Sequence, residues 1–83
     1  MSVRVIRKSV SWLDSQREYL NFWKLVADGR TWFASERVLT FDDGWEHVSP
    51  LSVRCAHTGM HLDESSELYR DILTAVHAEE LAA

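Results

Sequence analysis

The chain has 83 residues, 46% hydrophobic and 27% charged, with a formal net charge of −4 and a sequence pI near 5.4. That size supports one domain over residues 1–83, and so ordinary a composition excludes long disorder, with fraying expected only from Glu79 to Ala83. The single cysteine, Cys55, excludes an internal disulfide. The opening residues lack the apolar run of a signal peptide, and no stretch reaches the ~18 apolar residues of a membrane span. The expected setting is a reducing cytoplasm.

Elements follow in chain order. Val3 to Val10 alternates and is rich in β-branched residues, which predicts a strand. Val3 and Val5 are expected on one face, and Arg4, Ile6 and Lys8 on the other. Ser11-Trp12-Leu13-Asp14 and Ser15-Gln16-Arg17-Glu18 have capping-box spacing. Tyr19, Leu20, Phe22, Trp23, Val26 and Ala27 then follow a helical period, which predicts a helix over 12–28 ended by Asp28-Gly29. Thr31 to Ala34 and Glu36 to Phe41 read as two strands. Asp42-Asp43-Gly44 reads as a tight turn, with Trp45 to Val48 as the returning strand. Ser49-Pro50 interrupts the run, after which Leu51, Val53, Cys55 and His57 share one face of an extended segment. His57 to His61 is a loop. Asp63, Ser65 or Ser66 caps a last helix, with Leu68, Ile72 and Val76 as its apolar stripe. The expected fold is α+β: a small antiparallel sheet of three to four strands, two helices on one face, order β-α-β-β-β-α.

The residues exclude more chemistry than they offer. Cys55, His57 and His61 are zinc-ligand types, with His47 or Asp63 as a fourth, but one cysteine without a second ligand pair does not match structural zinc spacing. A Cys55 nucleophile would need a histidine base within ~3 Å, and on a strand His57 is too far away. Asp42, Asp43, Asp63, Glu64 and Glu67 sit where a turn or helix start wants an acid. With glycines only at 29, 44 and 59, no phosphate-cradling loop exists. The expectation is a non-enzyme with no cofactor and no metal.

Four tryptophans in so short a chain, at 12, 23, 32 and 45, are hard to bury together, and partly exposed tryptophans anchor protein interfaces. Trp23 belongs to the core. Trp12, Trp32 and Trp45 are the candidate anchors. Since Trp32 and Phe33 are neighbours on a strand, one of the two faces away from the core. Charge is also uneven. Residues 1–41 hold seven Lys/Arg and four Asp/Glu, whereas residues 42–83 hold two and nine. Arg4, Arg7 and Lys8 are the basic candidates for a contact. The sequence thus reads as a small protein-binding module: an inhibitor, adaptor or accessory factor, of a size that fits a phage or mobile element. The alternative is a nucleic-acid-binding accessory protein using the basic, tryptophan-containing first half, against which the acidic pI counts. A homodimer, through the first strand's edge or a two-fold tryptophan patch, is a further expectation.

Overall fold

The computed structural model describes residues 2–13 and 17–82, the last four of these by their backbone. The elements are β1 (Val3–Trp12), β2 (Glu18–Ala27), β3 (Arg30–Thr40), β4 (Glu46–Val48), β5 (Ser52–Cys55) and α1 (Glu67–Ala82). All strand pairs are antiparallel. β1, β2 and β3 form a long meander, and β4 and β5 share the far edge of β3, pairing with its end and its beginning. α1 packs against one face of this sheet. The architecture is α+β as expected, but with one helix and five strands among the described residues.

The second helix is the principal correction. Residues 18–27 are the central strand β2, hydrogen-bonded on both edges. Tyr19, Asn21, Trp23, Leu25 and Ala27 face one side; Leu20, Phe22, Lys24 and Val26 face the other. Both faces carry apolar residues, so the run has no clean alternation and also fits a helical period. Its aromatic and branched side chains suit a pleated surface better. Asp28-Gly29 is a hairpin turn, not a helix cap. Both residues have positive φ, 53° and 70°, the signature of a type I′ turn that matches the twist of paired strands. The expected helix start at Ser11–Glu18 falls partly on Asp14, Ser15 and Gln16, which lie outside the described residues; Ser11 and Trp12 themselves end β1. The two strands expected over 31–41 are one, β3.

A β-bulge corrects the reading of β1. Val5 pairs with Leu25 and Arg7 with Lys24, so Ile6 is an extra residue without a partner. Beyond it the faces exchange. Lys8, Val10 and Trp12 join Val3 and Val5 on the helix side, opposite Trp23, Asn21 and Tyr19, while Arg4 and Arg7 lie on the other side. Lys8 is therefore separated from Arg4, with which alternation alone would place it.

The core lies between α1 and the sheet. It is built from Trp23, Leu25 and Ala27 of β2, Trp32 and Ala34 of β3, and Val53 and Cys55 of β5, with Leu51 before it. Tyr69, Ile72 and Val76 of α1 close it, with Leu68 and Leu73 half-buried beside them. The helix stripe is the expected one. Ser66 is its N-cap, its Oγ accepting from the Tyr69 N–H at 3.1 Å. α1 runs to Ala82, past the expected fraying point at Glu79; Ala83 lies outside the described residues. The Asp42–Gly44 turn and its return strand are as expected, Val48 pairing with Val38. Leu51, Val53 and Cys55 point into the core as expected, whereas exposed His57 sits in the turn after β5. No helix among the described residues is long and apolar enough to cross a membrane.

Candidate functional site

α1 covers the inner face of the sheet only at one end. At the other end the same face continues uncovered, as an open groove of about 680 Å³. Lys8, Val10 and Trp12 of β1 form one wall, and Val38, Thr40, Glu46 and Val48 of β3 and β4 the other. The Ile6 bulge places the first set there. Without the exchange of faces Val10 and Trp12 would lie behind the sheet.

The floor is polar and satisfied. Asn21 and Glu36 are cross-strand partners, 6% and 9% exposed, and the Asn21 Nδ2 donates to Glu36 Oε1 at 3.0 Å. The Tyr19 hydroxyl donates to Glu46 Oε2 at 2.9 Å, tying β2 across β3 to β4. The Trp12 and Tyr19 rings meet with centroids 4.7 Å apart, so the Trp12 ring is held on one side although it is 54% exposed. Lys8 places its ammonium 5.5 Å from the centre of the Trp23 ring, at the border between groove and core. Val10 and Val48 are about half exposed, and Val38 between them is buried. The arrangement offers apolar contact and oriented aromatic edges over a floor in which Asn21 bonds Glu36 and Tyr19 bonds Glu46.

The remaining sequence candidates go elsewhere. Trp32 is core, and its indole N–H donates to the Ala27 carbonyl at 3.0 Å, so it presents no ring to a partner. The expected opposition of Trp32 and Phe33 holds, with Trp32 inside and Phe33 on the outer face. Trp23 is buried as expected; its Nε1 has no hydrogen-bond partner. Trp45 is 73% exposed in the turn before β4, but does not line the groove. Arg4 and Arg7 lie on the outer face.

Cys55, His57 and His61 are not brought together. Cys55 is buried beneath α1, while His61 lies on the outer face with its Nδ1 3.4 Å from the Ser52 hydroxyl. Among the described residues no three His, Cys, Asp or Glu side chains cluster as metal ligands. The Thr58 backbone N–H, then its hydroxyl and the His57 N–H, hydrogen-bond the Cys55 sulfur and hold its pKa below the ordinary thiol value of 9.0.

Comparison with protein-family models, curated proteins and solved structures finds no match to this chain. The site is therefore read from its own geometry. Sequence reasoning identified Trp12 and Lys8 but missed Val10, Tyr19, Asn21, Glu36 and Val48. A helical reading of 12–28 hides the cross-strand pairs Asn21–Glu36 and Trp12–Tyr19. The Asp28-Gly29 pair, taken as a hairpin turn, is the sequence signal that would have shown them.

Proposed function

We propose that this chain is a non-enzymatic protein-binding module, acting as an inhibitor, adaptor or accessory factor, and that the uncovered end of its inner sheet face receives an apolar segment of another protein. The observation that carries this is that one continuous sheet face is half covered by α1 and half open, with Val10, Trp12 and Val48 about half exposed in the open part. Clustered apolar side chains with a tryptophan braced on one side by a second ring are what an interface anchor requires. The groove's carboxylates are engaged within the sheet, Glu46 by the Tyr19 hydroxyl and Glu36 by the Asn21 amide, which favours binding over catalysis. A second copy is the less favoured occupant. Pairing β1 with its own symmetry mate would bring the basic residues Arg4, Arg7 and Lys8 of two copies close together, and like charges across a ladder are destabilising.

The test compares the wild-type chain with Trp12→Ala and Trp45→Ala, using nuclease-treated extracts. A stoichiometric protein retained by wild type and Trp45→Ala, but lost from a Trp12→Ala chain that keeps its circular dichroism, supports the reading. Loss of about 2 kcal/mol or more of binding is expected at Trp12. Equal retention by Trp12→Ala overturns it. A concentration-dependent dimer that Trp12→Ala dissolves would make the occupant a second copy, and would also overturn it.

A further inference from the structure

The face of the sheet opposite α1 is also open, and its chemistry is different. The β1–β2–β3–β5 registers place Arg4, Arg7, Lys24 and Arg54 there, with Arg37 at the far end. Among the described strand residues the one carboxylate on this face is Glu18, and it is held by Arg37 at 3.0 Å. The chain as a whole carries −4, yet this face is strongly positive, because Asp63, Glu64, Glu67 and Asp71 sit on or before the helix. The overall pI therefore says little about this surface.

Two aromatic rings lie at the centre of the positive field. Phe33 pairs with Lys24 and Phe22 with Ser35, so the rings are diagonal neighbours on adjacent strands, and both are half-buried. Three depressions, of about 610, 170 and 290 Å³, all include Phe33 in their walls. The first runs toward Arg30 and Thr58, the second toward Arg7 and Ser9, the third toward Arg54 and His61. The Arg54 guanidinium lies 5.7 Å from the Phe33 ring centre, so a cation and a stacking plane are already joined.

We propose that this outer face binds single-stranded RNA, with bases on Phe33 and Phe22 and phosphates on Lys24, Arg54 and Arg7. Aromatic rings amid scattered cations on an open sheet suit unpaired bases, whose π-faces are free, and phosphates that need only a diffuse positive field. An acidic protein would be served by the cations but not by the two rings. Ser35, Ser52 and His61 line the depression beside both rings and supply hydrogen-bonding groups for a ribose 2′-hydroxyl, which favours RNA over DNA. This is a second surface, independent of the groove that holds Trp12.

The full chain is titrated into a fluorescently labelled oligouridylate of about twelve nucleotides, followed by anisotropy at several salt concentrations. Binding is expected to weaken with salt, with a log–log slope near −2 for three phosphate contacts at about −0.7 each. Lys24→Gln with Arg54→Gln should flatten the slope by ~1.4. Phe33→Leu should weaken affinity by about tenfold or more at unchanged slope, the signature of lost stacking. Lys8→Gln and Trp12→Ala, on the opposite face, should leave it unchanged. If Phe33→Leu loses its circular dichroism, the charge-neutral pair carries the test. Absence of binding at about 50 mM salt overturns the proposal. So does binding that Phe33→Leu leaves intact and heparin displaces, which is a generic polyanion response. Equal affinity for the matching deoxy-oligonucleotide overturns the assignment to RNA.

Discussion

Trp12 and Trp32 carry the same indole into opposite situations, and the difference is measurable. Trp32 is packed under α1 with its N–H donated to the Ala27 carbonyl, whereas Trp12 stands at the open end of the sheet against one ring. Trp32→Phe removes buried volume and the indole hydrogen bond to the Ala27 carbonyl, a loss of about 2 kcal/mol in urea unfolding. Trp12→Phe should stay within ~0.5 kcal/mol of wild type. A large loss at Trp12 would mean that it is structural rather than presented. Tyr69 is a second residue whose burial has a consequence. Its hydroxyl donates to the Leu51 carbonyl at 2.6 Å, and burial, helped by the negative charge of Glu64, raises its pKa above the ordinary 10.0. The fold thus favours the neutral phenol. Its contribution is intact below pH ~10 and is lost as pH rises through the raised folded value. Tyr69→Phe should cost about 1 kcal/mol at neutral pH and remove part of the alkaline fall in stability, read as unfolding midpoints from pH 8 upward.

At the scale of elements, the β2–β3 hairpin organises everything else. Asp28 and Gly29 both hold positive φ, which aspartate tolerates and glycine prefers. A Cβ at Gly29 would meet nothing within 4 Å, so Gly29→Ala tests backbone conformation alone. The expected cost is about 1 kcal/mol, seen as a lowered thermal midpoint with the strand signal retained. No loss would mean that the turn relaxes to another type. The same segment explains the misreading of β2. A helix ending in glycine and a strand turning through Asp-Gly look alike locally, and only pairing with both β1 and β3 separates them. The Ile6 bulge is similarly silent in the sequence, because one extra residue leaves the alternation before and after it intact while exchanging its faces. That exchange moves Trp12 and Lys8 to the groove and moves Arg7 behind the sheet, the side on which Arg4 already lies.

In the whole molecule, one helix closes one end of a sheet too long for it. Tyr69, Ile72 and Val76 are the only α1 side chains fully inserted among the described residues, and they complete the core around Trp23 and Leu25. A chain ending at Ser66 should lose its cooperative thermal transition and bind a hydrophobic dye, since about half of the inner face's apolar surface would then open to water. Retention of a sharp transition would show that the meander is stable alone. Charge also differs between the faces: Arg4, Arg7, Lys24, Arg37 and Arg54 lie behind the sheet, Asp63, Glu64, Glu67 and Asp71 lie on or before the helix, and Lys8 faces the groove with Glu36 and Glu46. The positive and negative halves read from the sequence match this only in part, since Lys8 lies on the inner face and Arg54 on the outer.

What the sequence determined by itself was local. The stripe Leu68–Ile72–Val76, the Asp-Asp-Gly turn, the inward face of Leu51, Val53 and Cys55, and the opposition of Trp32 and Phe33 follow from side-chain period and turn chemistry within a few residues. What only the tertiary structure decided was the state of 18–27, the faces beyond Ile6, and so the neighbours of Trp12. Those depend on hydrogen bonds and contacts between residues far apart in the chain. A run that is apolar on both sides satisfies a helix or a central strand equally until its partners are in place.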